Sequence, residues 1–103
     1  MQLDHAAKAL ESLGNEKRLT VFRTLVRAGR PGMPVGRLQA QVGIPASTLS
    51  HHLAQLVNCG LVSQTREGRV LRCTVNFGQM NDLVGFLVRE CCRDESEDPS
   101  EDT

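Results

Sequence analysis

The chain has no tryptophan and no tyrosine, and only three phenylalanines among its 103 residues. Its apolar content of 40% is therefore mostly aliphatic, enough for the modest core of one domain. No apolar run approaches the ~20 residues of a membrane span. The opening Met1-Gln2-Leu3-Asp4-His5 lacks the basic-then-apolar pattern of a secretory signal, so a cytoplasmic protein is expected. In that compartment the four cysteines are expected as thiols, to be read as ligands, sensors or core filler before disulfides. Enzyme signatures are also missing. There is no convergent nucleophile–base pair, no glycine-rich phosphate loop and no complete metal set, so no catalytic residue and no required cofactor is expected.

The formal net charge of zero conceals a split. Residues 94–103 hold six of the twelve acids and no base, which leaves residues 1–93 with twelve bases against six acids, a net +6. A basic folded part has phosphate as its natural partner. The acidic, proline-containing end is expected to be a disordered tail over residues 93–103. Solubility or damping of non-specific DNA binding are its expected roles.

The organising stretch is Gly43 to Leu56. Gly43 and Pro45 break one helix, Ser47 is an N-cap type for the next, and Leu49, Leu53, Leu56 and Val57 recur at helical spacing. The other face carries Ser47, Thr48, Ser50, His51 and Gln55, short or planar hydrogen-bonding groups with no negative charge. Such a face suits the major groove of DNA, although any surface helix shares the periodicity. Upstream, Leu3, Ala6, Ala7, Leu10 and Leu13 predict a first helix ended by Gly14. Asn15 caps a second, over about 16–28, burying Leu19, Phe22, Leu25 and Val26. Lys17 and Arg18 in its first turn oppose the helix dipole and are candidate phosphate contacts. A third helix is expected over about 35–42.

Downstream, 61–66 and 69–75 alternate around Glu67-Gly68 and predict a β-hairpin, with Arg66, Arg69 and Arg72 near its tip. A helix-turn-helix followed by a basic hairpin is a winged helix, whose wing lies along the DNA backbone or minor groove. A last helix over about 79–92 carries Met80, Leu83, Val84, Leu87, Val88 and Cys91 on one stripe. Apolar first and last helices outside the DNA-reading part suggest a two-fold dimer reading two operator half-sites, unless both pack on their own subunit. The expected fold is α+β, mostly α: a winged helix-turn-helix over residues 1–92 with N- and C-terminal dimerisation helices.

The strings 13–19 (Leu-Gly-Asn-Glu-Lys-Arg-Leu), 47–53 (Ser-Thr-Leu-Ser-His-His-Leu) and 60–62 (Gly-Leu-Val), in that order, resemble the arsenic-repressor (ArsR/SmtB) family. The resemblance spans roughly residues 5–92. It implies a homodimeric repressor that leaves operator DNA when an inducer binds. Two inducer sites of that family are missing: the third helix holds no Cys-x-Cys, and the last helix has Asp82 but no histidine for a zinc site. The string 76–92, ending in Glu90-Cys91-Cys92, resembles the branch whose paired cysteines bind trivalent arsenic. With Cys73 added, it is similar to sensors of methylated trivalent arsenic. The implied inducer is methylarsenite or arsenite, with antimonite a further candidate.

Thiolates are the ligands a soft, thiophilic arsenic centre selects. Inorganic arsenite takes three sulfurs; a monosubstituted form has one position filled by carbon and takes two. Adjacent Cys91 and Cys92 can point two thiols at one atom, whereas joining them to each other requires a strained ring. The helix C-terminus raises a thiol pKa and Arg89 and Arg93 lower it. Cys73 is a third ligand or core filler. Cys59 reads as a packing residue at a helix end, and His5, His51 and His52 as polar contacts. Two rivals stand beside this reading. One is a thiol redox or persulfide sensor of the same fold. The other is a winged helix that binds proteins, with the acidic tail as docking segment.

Overall fold

Asn15 sets the first corner of the chain. Its side chain accepts the Arg18 N–H at 3.0 Å, capping a helix whose first turn also holds Glu16. The computed structural model describes residues 1–95. It contains α1 (Leu3–Leu13), α2 (Glu16–Ala28), β1 (Met33–Pro34), α3 (Val35–Val42), α4 (Ala46–Asn58), β2 (Val62–Glu67), β3 (Val70–Val75) and α5 (Phe77–Val88). The fold is a winged helix-turn-helix, mostly α, with one antiparallel sheet in the order β1-β3-β2.

The core lies where α2, α3 and α4 meet the sheet. Val21, Leu25, Leu38, Leu53, Leu56 and Leu61 are all but inaccessible there. Gly43, at φ +68, reverses the chain between α3 and α4, a conformation that glycine adopts without steric cost. Pro45, not Ser47, is the N-cap of α4, and Ser47 lies exposed inside the first turn. Proline's fixed φ already fits this entry, and no side chain is needed to set it.

The sheet holds a strand that the alternation missed. Met33 pairs with Cys73 and Pro34 with Arg72. A two-residue strand at the sheet edge leaves no period to detect. Gly32 permits it: a Cβ there would stand 2.2 Å from the Cys73 carbonyl oxygen. The hairpin turn is Gly68-Arg69, one residue later than expected, so Arg69 sits in the turn itself.

The outer helices differ more from expectation. The inward face of α1 is Ala6, Ala9 and Ser12, while Leu3 and Leu10 are 72% and 41% exposed. Small side chains let α1 approach α2 and α4 closely, and the large ones are turned out. Leu19 of α2 also lies outside the core, at 39% exposed. In α5 only Leu83 is buried; Val84, Leu87 and Val88 are each more than half exposed. α5 also starts two residues earlier than expected and stops at Val88, before Cys91. Arg89 takes extended backbone (ψ 135) and breaks the helix. Of the expected tail, Arg93 and Asp94 lie within the turns after α5 and Glu95 follows them, while residues 96–103 lie outside the described residues.

Asn76 fixes the start of α5. Its Nδ2 donates to the Gly60 carbonyl at 2.7 Å, its Oδ1 accepts from Ser63 Oγ at 2.7 Å, and its N–H donates to the Leu61 carbonyl at 2.9 Å. One side chain thus joins the end of α4, the base of the wing and the start of α5. Asn76→Ala leaves the Gly60 carbonyl and the Ser63 hydroxyl without their partner. The expected loss is about 1–3 kcal/mol of unfolding free energy, read as a lower urea midpoint at unchanged slope.

Candidate nucleic-acid interface and thiol pair

α4 is anchored by Leu49, Leu53 and Leu56 and offers Ser47, Ser50, His51 and Ala54 to solvent on the opposite side. Thr48 is half-buried at the edge of that face. Gln55 turns away from it and lines a cleft against α1, with Ser12 and Asn58. The exposed face carries hydroxyl and imidazole groups and no carboxylate, so it can approach base edges and phosphates without repulsion.

The expected cations divide into two groups. Lys17, Arg66 and Arg69 are exposed. Arg18 is folded inward, where its Nη1 donates to the Ser12 carbonyl at 3.1 Å and closes the α1–α2 corner. Arg72 donates from Nε to Glu67 Oε1 at 2.9 Å and from Nη1 to the Pro31 carbonyl at 3.1 Å. It therefore braces the wing against the loop before β1. Arg37, not among the expected contacts, is an exposed cation on α3 that shares a small hollow with Arg27 of α2. Its signal was a lone base in the first helix of the helix-turn-helix pair.

His52 sits on the inner side of α4, only 6% exposed, with Nδ1 buried and unpartnered. Burial, then the charges of Arg18, His51 and Lys17, lower its pKa below the usual 6.5, so it is neutral in the fold. The unfolded chain takes up a proton as pH falls through about 6.5, and the folded chain does so only at lower pH. Stability from this group is therefore full above that value and is lost as pH drops below it. The expected result is a urea midpoint that declines between about pH 7.5 and 5.5, with a shallower decline in His52→Gln.

The thiols are placed very differently from one another. Cys73 is fully buried on β3, between Met33 and Gln64 in the sheet register, and Gln64 Nε2 approaches its Sγ at 3.6 Å. Burial raises its pKa, partly offset by that hydrogen bond. Cys59 is buried at the end of α4, its Sγ donating to the Leu56 carbonyl. Cys91 and Cys92 are exposed, with their sulfurs 3.3 Å apart. Successive side chains on a helix diverge by about 100° and do not face each other. Here the helix has ended, Glu90 and Cys92 adopt φ of +65 and +63, and successive tight turns carry the two thiols to one side. The contact with Cys91, slight burial and a hydrogen bond with Glu95 raise the Cys92 pKa. Arg93 pairs with Glu90 across the same turn. Among the described residues no three His, Cys, Asp or Glu side chains cluster for a metal, and Cys73 does not join the pair within one chain. The pair alone offers two sulfurs to one soft atom.

A helix-turn-helix domain model matches residues 13–65, the span from the end of α1 through α4 into the wing. The chain belongs to the helix-turn-helix domain family. The regulator YgaV of Escherichia coli K12 is 28% identical over 89 residues, covering 86% of this chain and 88% of that one. A probable mercury resistance operon repressor of Streptomyces lividans is 32% identical over 81 residues, 79% of this chain and 62% of the relative. A putative arsenical resistance operon repressor, ArsR2 of Halobacterium salinarum, is 34% identical over 61 residues, 59% of this chain and half of the relative. In fold, an ArsR-like regulator from Rhodococcus sp. RHA1 superposes with a TM-score of 0.76 at 23% identity, covering 87% of this chain and 82% of that one. These relatives support the ArsR/SmtB group within the helix-turn-helix family, and the curated ones are transcriptional regulators. None of the described helices is long and apolar enough to cross a membrane.

Proposed function

We propose that this helix-turn-helix regulator is a homodimeric repressor, released from its operator when a trivalent arsenical binds Cys91 and Cys92. The observation that carries the sensing half is the pair of exposed sulfurs 3.3 Å apart just past α5. With Cys73 buried elsewhere, two thiols suit an arsenic centre whose third position is already carbon, such as methylarsenite. Each thiol replaces one hydroxyl on arsenic, the proton leaving with it as water, and the oxidation state of arsenic is unchanged. Relatives named for mercury and arsenical resistance point to the same soft-element chemistry.

The dimer reading rests on the outward apolar face of Leu3, Leu10, Val84, Leu87 and Val88. Paired across a two-fold axis, these residues would hold two α4 helices at operator spacing. Arsenic bound beside that face favours another arrangement, and release requires a coupling of ~1–3 kcal/mol. The DNA half is tested on a duplex selected from a random pool, by anisotropy against salt. Replacing Arg66 and Arg69 by Ala is expected to weaken binding alike on all sequences. The slope of log K against log salt should fall by roughly one per lost phosphate contact. An unchanged slope removes the wing from the interface. A protein-binding winged helix would show no steep salt dependence on DNA at all.

The adjacent thiols also favour a second reading, a redox or persulfide sensor. Peroxide or polysulfide releasing the operator where a trivalent arsenical does not would select it.

A further inference from the structure

Between α1 and α4 lies an open cleft of about 270 Å³ lined by Lys8, Glu11, Ser12, Arg18, Gln55 and Asn58, with Cys59 beside them. We propose that this cleft binds a small oxyanion, either inorganic phosphate or a short carboxylate. The site is separate from the thiol pair and stands whether or not the protein senses arsenic.

The charge balance and the state of Arg18 support an anion. Two cations face one acid, and among the described residues neither Lys8 nor Glu11 is in an ion pair. Arg18 spends Nη1 on the Ser12 carbonyl, while its Nε is buried with no acceptor. A buried N–H on a guanidinium without a partner is costly, and natural structures supply one from protein, water or ligand. Among the described residues no acceptor pairs with Nε or Nη2 of Arg18, the two groups through which a guanidinium can hold a carboxylate or phosphate in bidentate fashion. A second orphan feels the same charge: His52, nine-tenths buried, has its pKa lowered first by burial and then by repulsion from Arg18, His51 and Lys17. An anion on Arg18 would offset that repulsion. Gln55 and Asn58 add carboxamide donors from α4, and the volume is at the small end of ligand sites. The anion would touch both the helix that carries Leu3 and Leu10 and the helix proposed to read DNA.

The test is a titration of the ¹⁵N-labelled full chain with sodium phosphate and, separately, sodium acetate, at constant ionic strength in chloride. Saturable shifts are expected at the amides of Ser12, Gln55 and Asn58 and at the His52 ring. The tighter of the two salts tells a tetrahedral from a planar ligand. Arg18→Gln also breaks the bond to Ser12, so Lys8→Gln, on the exposed side of α1, carries the test; it is expected to bind about 10-fold more weakly. Shifts that do not saturate with either salt would overturn the site. So would equal affinity in Lys8→Gln, or shifts confined to Ser47, Ser50 and the wing.

Discussion

Chains carrying Cys91→Ser or Cys92→Ser are expected to bind operator as tightly as wild type and to ignore a trivalent organoarsenical. Both side chains are exposed and lie beyond α5, outside α4 and the wing, so neither substitution is expected to disturb folding or the proposed grip on DNA. A serine hydroxyl is a hard donor and does not hold arsenic(III) in water. With one thiol left, the two-point attachment is gone. Wild type should lose affinity about 5- to 150-fold when loaded, the range of a 1–3 kcal/mol coupling, and the variants should show almost none of it. Cys73→Ser is the contrast. That thiol is buried in the sheet, so its replacement should lower stability and leave the response to a monosubstituted arsenical in place. Anisotropy titrations of operator complexes, with and without arsenical, check all three.

Leu87→Glu is expected to convert the proposed dimer to monomer and to weaken operator binding by more than about 100-fold. Leu87 is 56% exposed in the single chain, flanked by Val84 and Val88 on the same side of α5, and Leu3 and Leu10 on α1 extend the apolar surface. A carboxylate placed in such a face costs several kcal/mol when the face is covered and nothing when it is open. Every 1.4 kcal/mol is tenfold in affinity, so the two half-sites would be bound separately and weakly. Because Leu87 is not part of the monomer core, the helical circular-dichroism signal should be retained. Light scattering gives the mass and anisotropy the affinity; a monomer that still binds the operator tightly would remove the dimer from the account.

The helix order was readable because each helix carries a stripe and a punctuating residue. α3 was bounded at Val35 and Val42, and Gly43 and Gly60 stand at the positive-φ positions that end helices. Which side of a stripe faces inward was not readable for the outer helices. Leu3 and Leu10 share a period with Ala6 and Leu13, and periodicity does not separate a face for the core from a face for a partner. β1 was missed because two residues have no period, and its pairing depends on Gly32 passing close to Cys73. The two adjacent cysteines were legible as a feature, but their geometry was not. Convergence of the sulfurs needs the backbone at Glu90 and Cys92 to leave the helix, which no propensity at those residues announces. The roles of Arg18 and Arg72 were likewise hidden, since their partners are carbonyls of Ser12 and Pro31 that only the fold brings near.

The most direct measurement is arsenic X-ray absorption on the full chain loaded to the point where operator DNA is released, with phenyl- or methylarsenite as the probe. The account predicts release complete at one arsenic per chain, each arsenic bonded to two sulfurs and one carbon. Release with no sulfur bound to arsenic, or with the same sulfur count after Cys91→Ser and Cys92→Ser together, would contradict it.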